Sequence, residues 1–400
     1  MTRVIEGLFS QQDHSFPRRF APFVALVATL TVCGCSSSRE LYALDLGSTH
    51  RPDLRAPAPP HPAIAHEVCA PLATPTTKLR RIQLAGAWLE PQGYALRAAD
   101  SADKWVPKRL VLGVLADPRG ALPGTLRNID LLAARFTSAK VHAVLLLGGI
   151  ARAADDQRRI VQRLVAALSV PVLVLLGDRA GLQQLRGTLA DLGRRVVDLT
   201  LVRTLRHPAA TLLSLPGHPL PAQLLSGPKG CAYSSADLDS LATLSAKMRR
   251  PRLLLAYAPP RGAGPQAVDR SLANVNCGSE ALRELMERGD IRFGLFAHIS
   301  EAGGQATTRA GSPLAEHTWG TSMLLNVGSV DAIPRRDLEG RWRHGMGVIV
   351  ELRGEMARYR RIELPPVSAA LLERQPRQRQ PYESNAHRPP TVCPGDPTAL

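Results

Sequence analysis

Apolar residues occur along the chain in short runs that alternate with amphipathic stretches. The runs 109–117 (RLVLGVLAD), 141–149 (VHAVLLLGG) and 170–178 (VPVLVLLGD) predict buried strands. Between them, apolar residues at helical spacing predict helices near 125–139 and 154–169. This β-α-β order is typical of an α/β domain.

Three more apolar runs and a hairpin follow in the second half of the chain. The runs 251–260, 291–304 and 322–334 predict strands, and the segment 344–364 predicts an antiparallel hairpin that turns at Arg353 and Gly354. The folded domain is therefore expected at residues 80–366. The stretch 367–400 is rich in proline, arginine and glutamine and predicts a disordered tail.

The first 35 residues have the pattern of a bacterial export signal. Arg18 and Arg19 precede the apolar stretch 20–35, which is too short to span a bilayer and has the length of a secretory signal. Its end, Val-Cys-Gly-Cys, resembles a lipobox. That resemblance implies cleavage of a signal peptide, residues 1–34, lipidation of Cys35 and, with Ser36 next, the outer membrane facing the periplasm. A soluble secreted protein or a short buried helix is the alternative.

The mature chain would begin with a spacer and keep four further cysteines. Residues 35–79 are rich in proline and predict an extended linker in which no core forms. Disulfides can form in an oxidising compartment, and four cysteines allow three pairings, which all stay open. The four are Cys69, Cys231, Cys277 and Cys393.

The positive charge does not indicate a nucleic-acid partner. The net charge is +16, but only six of the 50 basic residues are lysine. Aromatic residues make up 4% of the chain, too few for a stacking platform, and no zinc-finger, helix-turn-helix or RNP pattern occurs in the sequence. We therefore expect no nucleic-acid binding.

Six strand ends carry the most specific pattern in the chain. They read Ala-Asp-Pro-Arg-Gly (116–120), Leu-Gly-Gly (147–149), Leu-Gly-Asp-Arg (176–179), Tyr-Ala-Pro-Pro (257–260), Ala-His-Ile-Ser (297–300) and Asn-Val-Gly-Ser (326–329). In order and spacing this resembles the calcineurin-like metallophosphoesterases, over about residues 108–366. The resemblance implies an α/β fold, a calcineurin-like phosphoesterase sandwich of two mixed β-sheets flanked by helices.

The same resemblance implies a degenerate metal site. Asp117, Asp178 and His298 stand at metal-ligand positions and are the predicted metal ligands. Four other ligand positions are lost, and a further exchange falls at the catalytic histidine. The residues at these degenerate positions are Arg119, Gly149, Tyr257 and Ser300 for the ligands, and Arg179 for the catalytic histidine.

These exchanges indicate that charge has replaced metal. Arg119 and Arg179 are expected to pair with Asp117 and Asp178 and to offer guanidinium groups to a phosphate or carboxylate. The leading interpretation is a non-catalytic envelope lipoprotein with no cofactor, whose partners are the membrane, through its lipid anchor, and a phosphate-bearing ligand or an envelope protein. Taken singly, Asp117 is also a plausible turn residue and Asp178 a plausible helix cap.

Two other interpretations stay open. One is a metal-dependent phosphoester hydrolase with a rebuilt site, in which Asp117, Asp178 and His298 hold one divalent ion (manganese, iron or zinc) and Tyr257 assists. The other is a structural lipoprotein whose fold serves only as a scaffold.

Overall fold

The computed structural model describes residues 67–69, 79–99 and 106–372. The predicted signal peptide, the lipidation site Cys35, most of the predicted linker and the chain beyond residue 372 lie outside the described residues. Within 67–69, 79–99 and 106–372, no helix is both long enough and apolar enough to cross a membrane.

Strands and helices alternate along the described chain. The strands are β1 (Glu67–Val68), β2 (Ile82–Leu84), β3 (Ala87–Gln92), β4 (Ala95–Ala98), β5 (Arg109–Leu115), β6 (Ala143–Leu147), β7 (Val172–Leu175), β8 (Val196–Asp198), β9 (Thr204–His207), β10 (Ala210–Leu215), β11 (Cys231–Ala232), β12 (Arg252–Ala256), β13 (Phe293–Phe296), β14 (Ala306–Thr307), β15 (Met323–Asn326), β16 (Arg335–Arg336), β17 (Trp342–Arg343), β18 (Met346–Arg353) and β19 (Met356–Glu363). The α-helices are α1 (Pro123–Ser138), α2 (Ala154–Ala167), α3 (Leu182–Ala190), α4 (Ser235–Ala246), α5 (Glu280–Arg288) and α6 (Ala369–Leu372).

One mixed sheet has six strands in the order β19-β18-β5-β6-β7-β8. Strands β5 to β8 run parallel, and the hairpin β18-β19 joins them in antiparallel register beside β5. The helices α1 and α2 connect β5, β6 and β7, as the sequence predicts. The hairpin turns at Gly354 and Glu355, one residue later than predicted, because Arg353 still pairs with Met356.

The second mixed sheet has nine strands in the order β14-β15-β13-β12-β10-β9-β4-β3-β2. Neighbours from β15 through β13 and β12 to β10 are parallel. The outer pairs β14-β15, β9-β10 and β2-β3-β4 are antiparallel. Strands β2 to β4 and β8 to β10 were not singled out from the sequence.

Alternate residues of each strand face two different hydrophobic cores. In β5, Leu110, Leu112 and Val114 join a core built from both sheets, which contains no helical residue among those the structure describes. Val111 and Leu115 face the other core, with residues of α1 and α2. Since strand side chains alternate in direction, the sheets pack face to face with helices outside. This confirms the predicted fold class of two mixed β-sheets flanked by helices.

Two short segments correct the predicted domain limits. β1 lies inside the predicted linker but pairs in parallel with β11. Cys69 is 2% exposed, belongs to a hydrophobic core and is disulfide-bonded to Cys231. The expectation that no core forms within residues 35–79 is therefore wrong for this segment, because a covalent bond and strand pairing hold it on the domain. The helix α6 likewise lies in the predicted tail.

Candidate functional site

Residues that follow six different strands meet between the two sheets, as expected where strands end at a ligand crevice. Side-chain contacts and close approaches join five of the ends, and the charge of the sixth, Asp178, acts on the His218 ring. The six ends are Asp117 after β5, Gly149 after β6, Asp178 after β7, His218 after β10, Tyr257 after β12 and His298 after β13. We divide the cluster into an acid–arginine half (Asp117, Arg119, Tyr257) and a histidine half (Asp178, His218, His298).

In the acid–arginine half, both carboxylate oxygens of Asp117 have partners. The Tyr257 hydroxyl donates to Oδ1 at 2.7 Å, and the Arg119 guanidinium donates to Oδ2 at 3.0 Å. Asp117 is 0% exposed and the Arg119 side chain 9%. Burial raises the pKa of Asp117, but the Arg119 charge and the two hydrogen bonds bring it below the usual value. The carboxylate is therefore ionised and already neutralised by protein groups.

Burial also determines the state of Tyr257. Its pKa lies well above the usual value because burial and the neighbouring charges of Asp117 and Asp178 disfavour the phenolate. Tyr257 therefore keeps its proton and acts as a hydrogen-bond donor to Asp117.

At Gly148 and Gly149 the side chains of Tyr257 and Asp117 pack directly against the backbone. Both glycines have positive φ, +69° and +59°. A Cβ on Gly149 would lie 1.6 Å from Asp117 Oδ1, and one on Gly148 would lie 2.3 Å from Tyr257 Cδ2. At the position where the resemblance puts a bridging carboxylate, the Asp117 oxygen fills the space that a side chain would need.

The histidine half contains a residue that the sequence analysis missed. The His218 ring lies 4.8 Å from the His298 ring, which lies 5.1 Å from the Tyr257 ring. Burial and the neighbouring His298 lower the pKa of His218 to about 3, so the ring is neutral. His218 could have been found because it follows the apolar run of β10 and the glycine Gly217, as Asp178 follows the run of β7 and Gly177.

The histidine half contains two buried polar atoms without partners in the described part of the chain. His218 Nδ1 lies 3.1 Å from Leu220 N and 3.2 Å from Leu220 O. Among the residues that the structure describes, His218 Nε2 and Asp178 Oδ1 are buried and have no hydrogen-bond partner. Buried polar atoms of this kind are costly, so they mark a place where a ligand can supply the missing contact.

Two of the predicted site residues lie apart from these contacts. Contrary to expectation, Arg179 makes no ion pair with Asp178 within the described ranges. Asp178 is 3% exposed, whereas the adjacent Arg179 is half-buried. Ser300 is half-buried in a short 3-10 turn, and its hydroxyl lies 3.4 Å from the Glu301 carboxylate. Of the two expected acid–arginine pairs, only Asp117–Arg119 forms.

The last strand end holds the cluster in place. Asn326 donates to Val268 O and Ile299 O, both at 2.8 Å, and so fixes the turn that follows His298. Ser329 Oγ donates to Asp117 O at 2.9 Å. These two residues therefore have positioning roles.

Three cluster residues adopt left-handed backbone conformations. Asp117, Arg119 and His298 have φ of 52°, 58° and 65°. Each such non-glycine residue costs about 1–3 kcal/mol and persists only where its surroundings over-determine it. The hydrogen bonds from Tyr257 and Arg119 to Asp117 provide such surroundings and stabilise the left-handed backbone at Asp117.

The residues present do not fit a two-metal centre. Both Asp117 oxygens are committed, the bridging position is filled, and the Arg119 guanidinium would repel a dication beside that carboxylate. No group of three His, Cys, Asp or Glu side chains suited to a metal ion occurs within residues 67–69, 79–99 and 106–372. The predicted ligands Asp117, Asp178 and His298 do not form such a group.

Comparison with known proteins finds neighbours only among solved structures. No family model and no curated protein matches the sequence. A dimetal phosphatase from Danio rerio is 14% identical, with 64% of this chain and 99% of that chain covered and a TM-score of 0.40. A purple acid phosphatase from yellow lupin seeds is 10% identical, with 67% and 56% covered and a TM-score of 0.39.

A third neighbour is GAP50, the anchor in the inner membrane complex of Plasmodium. It is 12% identical, with 65% of this chain and 90% of that chain covered and a TM-score of 0.41. Two of these three neighbours are named as phosphatases. At these identities the likeness concerns the fold alone.

Proposed function

We propose that this protein is a metallophosphoesterase-like lipoprotein of the bacterial envelope that binds an anion in its cleft without hydrolysing it. The closed arrangement around Asp117 carries the proposal. A carboxylate held by a guanidinium and a phenol, at the position where the resemblance puts a metal ligand, supports recognition by charge and hydrogen bonding rather than metal-bridged hydrolysis.

The arginines supply the binding groups in this proposal. Arg119 is buried beside the cleft, and Arg179 is half-buried next to Asp178. A guanidinium offers several N–H donors in a fixed plane, which suits a phosphate or carboxylate group. The partner is therefore a phosphate-bearing ligand or an acidic group of an envelope protein.

Titration calorimetry of the mature protein tests the binding. Phosphate-bearing ligands should give saturable heat that weakens with salt. Binding should fall in Arg119→Ala and Arg179→Ala. Equal, feeble binding by wild type and both variants would leave only the scaffold interpretation.

Activity measurements test the absence of hydrolysis. With manganese supplied, the mature protein should show negligible turnover of aryl phosphates, because no bridged metal pair is available to activate water. Robust turnover that disappears in Asp117→Asn would contradict the proposal.

One observation favours the alternative, a hydrolase with a rebuilt one-metal site. Asp178 Oδ1, buried and unpartnered among the described residues, has a charge that acts on the nearby His218. Metal analysis of the purified mature protein separates the two candidates. A stoichiometric divalent ion that is lost in Asp178→Asn would favour the hydrolase.

The envelope anchor is the second part of the proposal. It is supported by the lipobox pattern at Cys35 and by the Cys69–Cys231 disulfide, which is typical of an oxidising compartment. Intact-mass analysis of membrane fractions should find an acylated chain that begins at Cys35, and Cys35→Ala should leave the protein unprocessed or soluble. Cleavage elsewhere without added acyl mass would contradict the anchor.

A further inference from the structure

A second arginine is fixed at the corner that carries Asp117 and Arg119. Arg335 follows the loop 329–334, and this loop is bonded to the end of β5. Val330 N donates to Ala116 O at 2.8 Å. Ser329 Oγ donates to Asp117 O at 2.9 Å and accepts from Asp331 N at 3.2 Å. The two segments are therefore held as one unit.

Each segment contributes one acid–arginine pair. Arg335 Nη2 lies 3.2 Å from Asp331 Oδ2, and Arg119 Nη2 lies 3.0 Å from Asp117 Oδ2. Asp331 is held further by Thr125 and by the backbone N–H of Ile333. Both carboxylates are thus fixed, and each holds one edge of its arginine in place.

On the same edge as the Nη2 that contacts the carboxylate, each guanidinium has a second donor, Nε–H. Nε of Arg119 and Nε of Arg335 are buried and have no hydrogen-bond partner in the part of the chain that the structure describes. A buried N–H that has lost its water without gaining an acceptor is costly, and two of them at one corner call for an acceptor between them.

The charges of the two pairs act on each other. Burial lowers the pKa of Arg335, and the nearby Arg119 charge lowers it further. Burial also lowers the pKa of Arg119, but Asp117, Tyr257 and Asp331 more than offset this. Each guanidinium therefore responds to charges of the other pair.

We propose that Arg119 and Arg335 form a cradle for a singly charged oxyanion, a phosphodiester or a carboxylate, each guanidinium donating through its Nε–H. This inference rests on the proposed function and deepens it, because it adds a further guanidinium, that of Arg335, beside Arg119 and names the charge of the ligand. The ligand enters from the Arg335 side, whose side chain is 25% exposed against 9% for Arg119.

Charge balance disfavours a doubly charged ligand. The cradle contains two guanidinium groups and two carboxylates, Asp117 and Asp331, and is neutral as a unit. A second negative charge on the ligand gains no further cation and is repelled by both carboxylates. A phosphomonoester dianion should therefore bind more weakly than a phosphodiester of similar size.

Titration calorimetry on the mature full chain at pH 8 tests the cradle with three probes. Methyl phenyl phosphate and benzoate carry one negative charge, and phenyl phosphate carries two. We expect methyl phenyl phosphate to bind at least about threefold more tightly than phenyl phosphate. Charge-assisted hydrogen bonds are worth enough that Arg335→Ala should weaken binding of the singly charged probes by about tenfold or more.

Two variants complete the design. Arg335→Lys keeps the charge without the Nε–H, so it should also weaken binding, and it remains informative if the alanine variant does not fold. Arg336→Ala is the matched control on the same strand, because Arg336 is exposed and stacks on Trp342 with its guanidinium carbon 5.0 Å from the ring centroid. It should bind within about twofold of wild type.

The outcomes separate this inference from the proposed function. Wild-type affinity in both Arg335 variants, together with loss in Arg119→Ala and Arg179→Ala, would overturn the cradle and leave anion binding standing. Tighter binding of phenyl phosphate would overturn the charge assignment. Absence of saturable heat with all three probes would overturn both the cradle and the anion-binding proposal.

Discussion

The two halves of the site solve the problem of buried polar groups differently. In the acid–arginine half, Asp117 is fully buried, and each of its oxygens accepts a hydrogen bond from a side chain. In the histidine half, Asp178 Oδ1 and His218 Nε2 are equally buried but lack partners among the described residues. In the first half the carboxylate is therefore satisfied by protein groups and the Arg119 Nε–H is left without a partner among the described residues, whereas in the second half the carboxylate itself and a histidine nitrogen lack partners.

The two halves are also supported differently. The acid–arginine half lies on the Gly149 corner and is bonded to Ser329, so its support is packing and hydrogen bonding. The histidine half lies against the Cys69–Cys231 disulfide. A Cβ on Gly217 would lie 1.9 Å from Cys69 Sγ, and His218 N donates to Cys231 O at 3.3 Å. Substitutions that disrupt the acid–arginine half should therefore lower the free energy of unfolding.

Gly149→Ala should have the largest effect, because the new Cβ would displace the Asp117 carboxylate from its arginine. Breaking a buried pair costs about 3–5 kcal/mol in the free energy of unfolding. Gly354→Ala is the matched control: its φ is also +59°, but no heavy atom of another described residue lies within 4 Å of the added Cβ. It should cost about 1–2 kcal/mol of backbone strain. Equal losses in urea denaturation would show that Asp117 does not fill the corner.

Tyr257→Phe tests the hydrogen bond within the acid–arginine half. It removes the donor to Asp117 Oδ1 and should lower the free energy of unfolding by about 2 kcal/mol, since a buried acceptor is left unpaired. Tyr233→Phe is the control, because the Tyr233 hydroxyl is buried and has no partner among the described residues. That variant should be as stable as wild type or more stable. A Tyr257→Phe protein as stable as wild type would argue against a structural role for the bond.

The pH dependence of the free energy of unfolding tests the buried, neutral state of His218 in the histidine half. His218 has a pKa of about 3 in the folded protein and about 6.5 when unfolded, so only the unfolded chain takes up a proton between these values. The free energy of unfolding should therefore fall as the pH falls through this window, by up to about 1.4 kcal/mol per pH unit from this residue. His218→Gln should flatten the slope. Identical slopes from pH 7 to pH 4.5 would contradict the buried neutral ring.

Local patterns were sufficient to predict much of the fold. The runs that became β5, β6, β7, β12, β13 and β15, and the helices α1 and α2, were predicted because a strand or helix that covers a core must repeat its apolar residues with the period of that element. The strands β2 to β4 and β8 to β10 were missed. Most of their runs are short: β2, β3 and β4 pair with one another and β9 pairs with β10, but segments of three to six residues are too short for a clear periodic pattern.

The candidate site could be predicted in part for the same reason. Asp117, Gly149, Asp178, Tyr257 and His298 were named from the order of strand ends, and the structure brings them together. His218 and Arg335 were not named, because the significance of each depends on partners that are far away in the chain. The roles of the predicted residues in anion binding or metal binding remain predictions.

By itself, the sequence determined the α/β class and the residues at the strand ends, since these depend on residue type and local periodicity. Only the tertiary structure decided that Arg119 pairs with Asp117 while Arg179 does not pair with Asp178, that Tyr257 completes the network, and that Cys69 joins Cys231. Tyr257 lies 140 positions from Asp117 in the chain, and Cys69 lies 162 positions from Cys231, so these contacts depend on distances and side-chain directions between distant strands. Those distances exist only once the two sheets have packed.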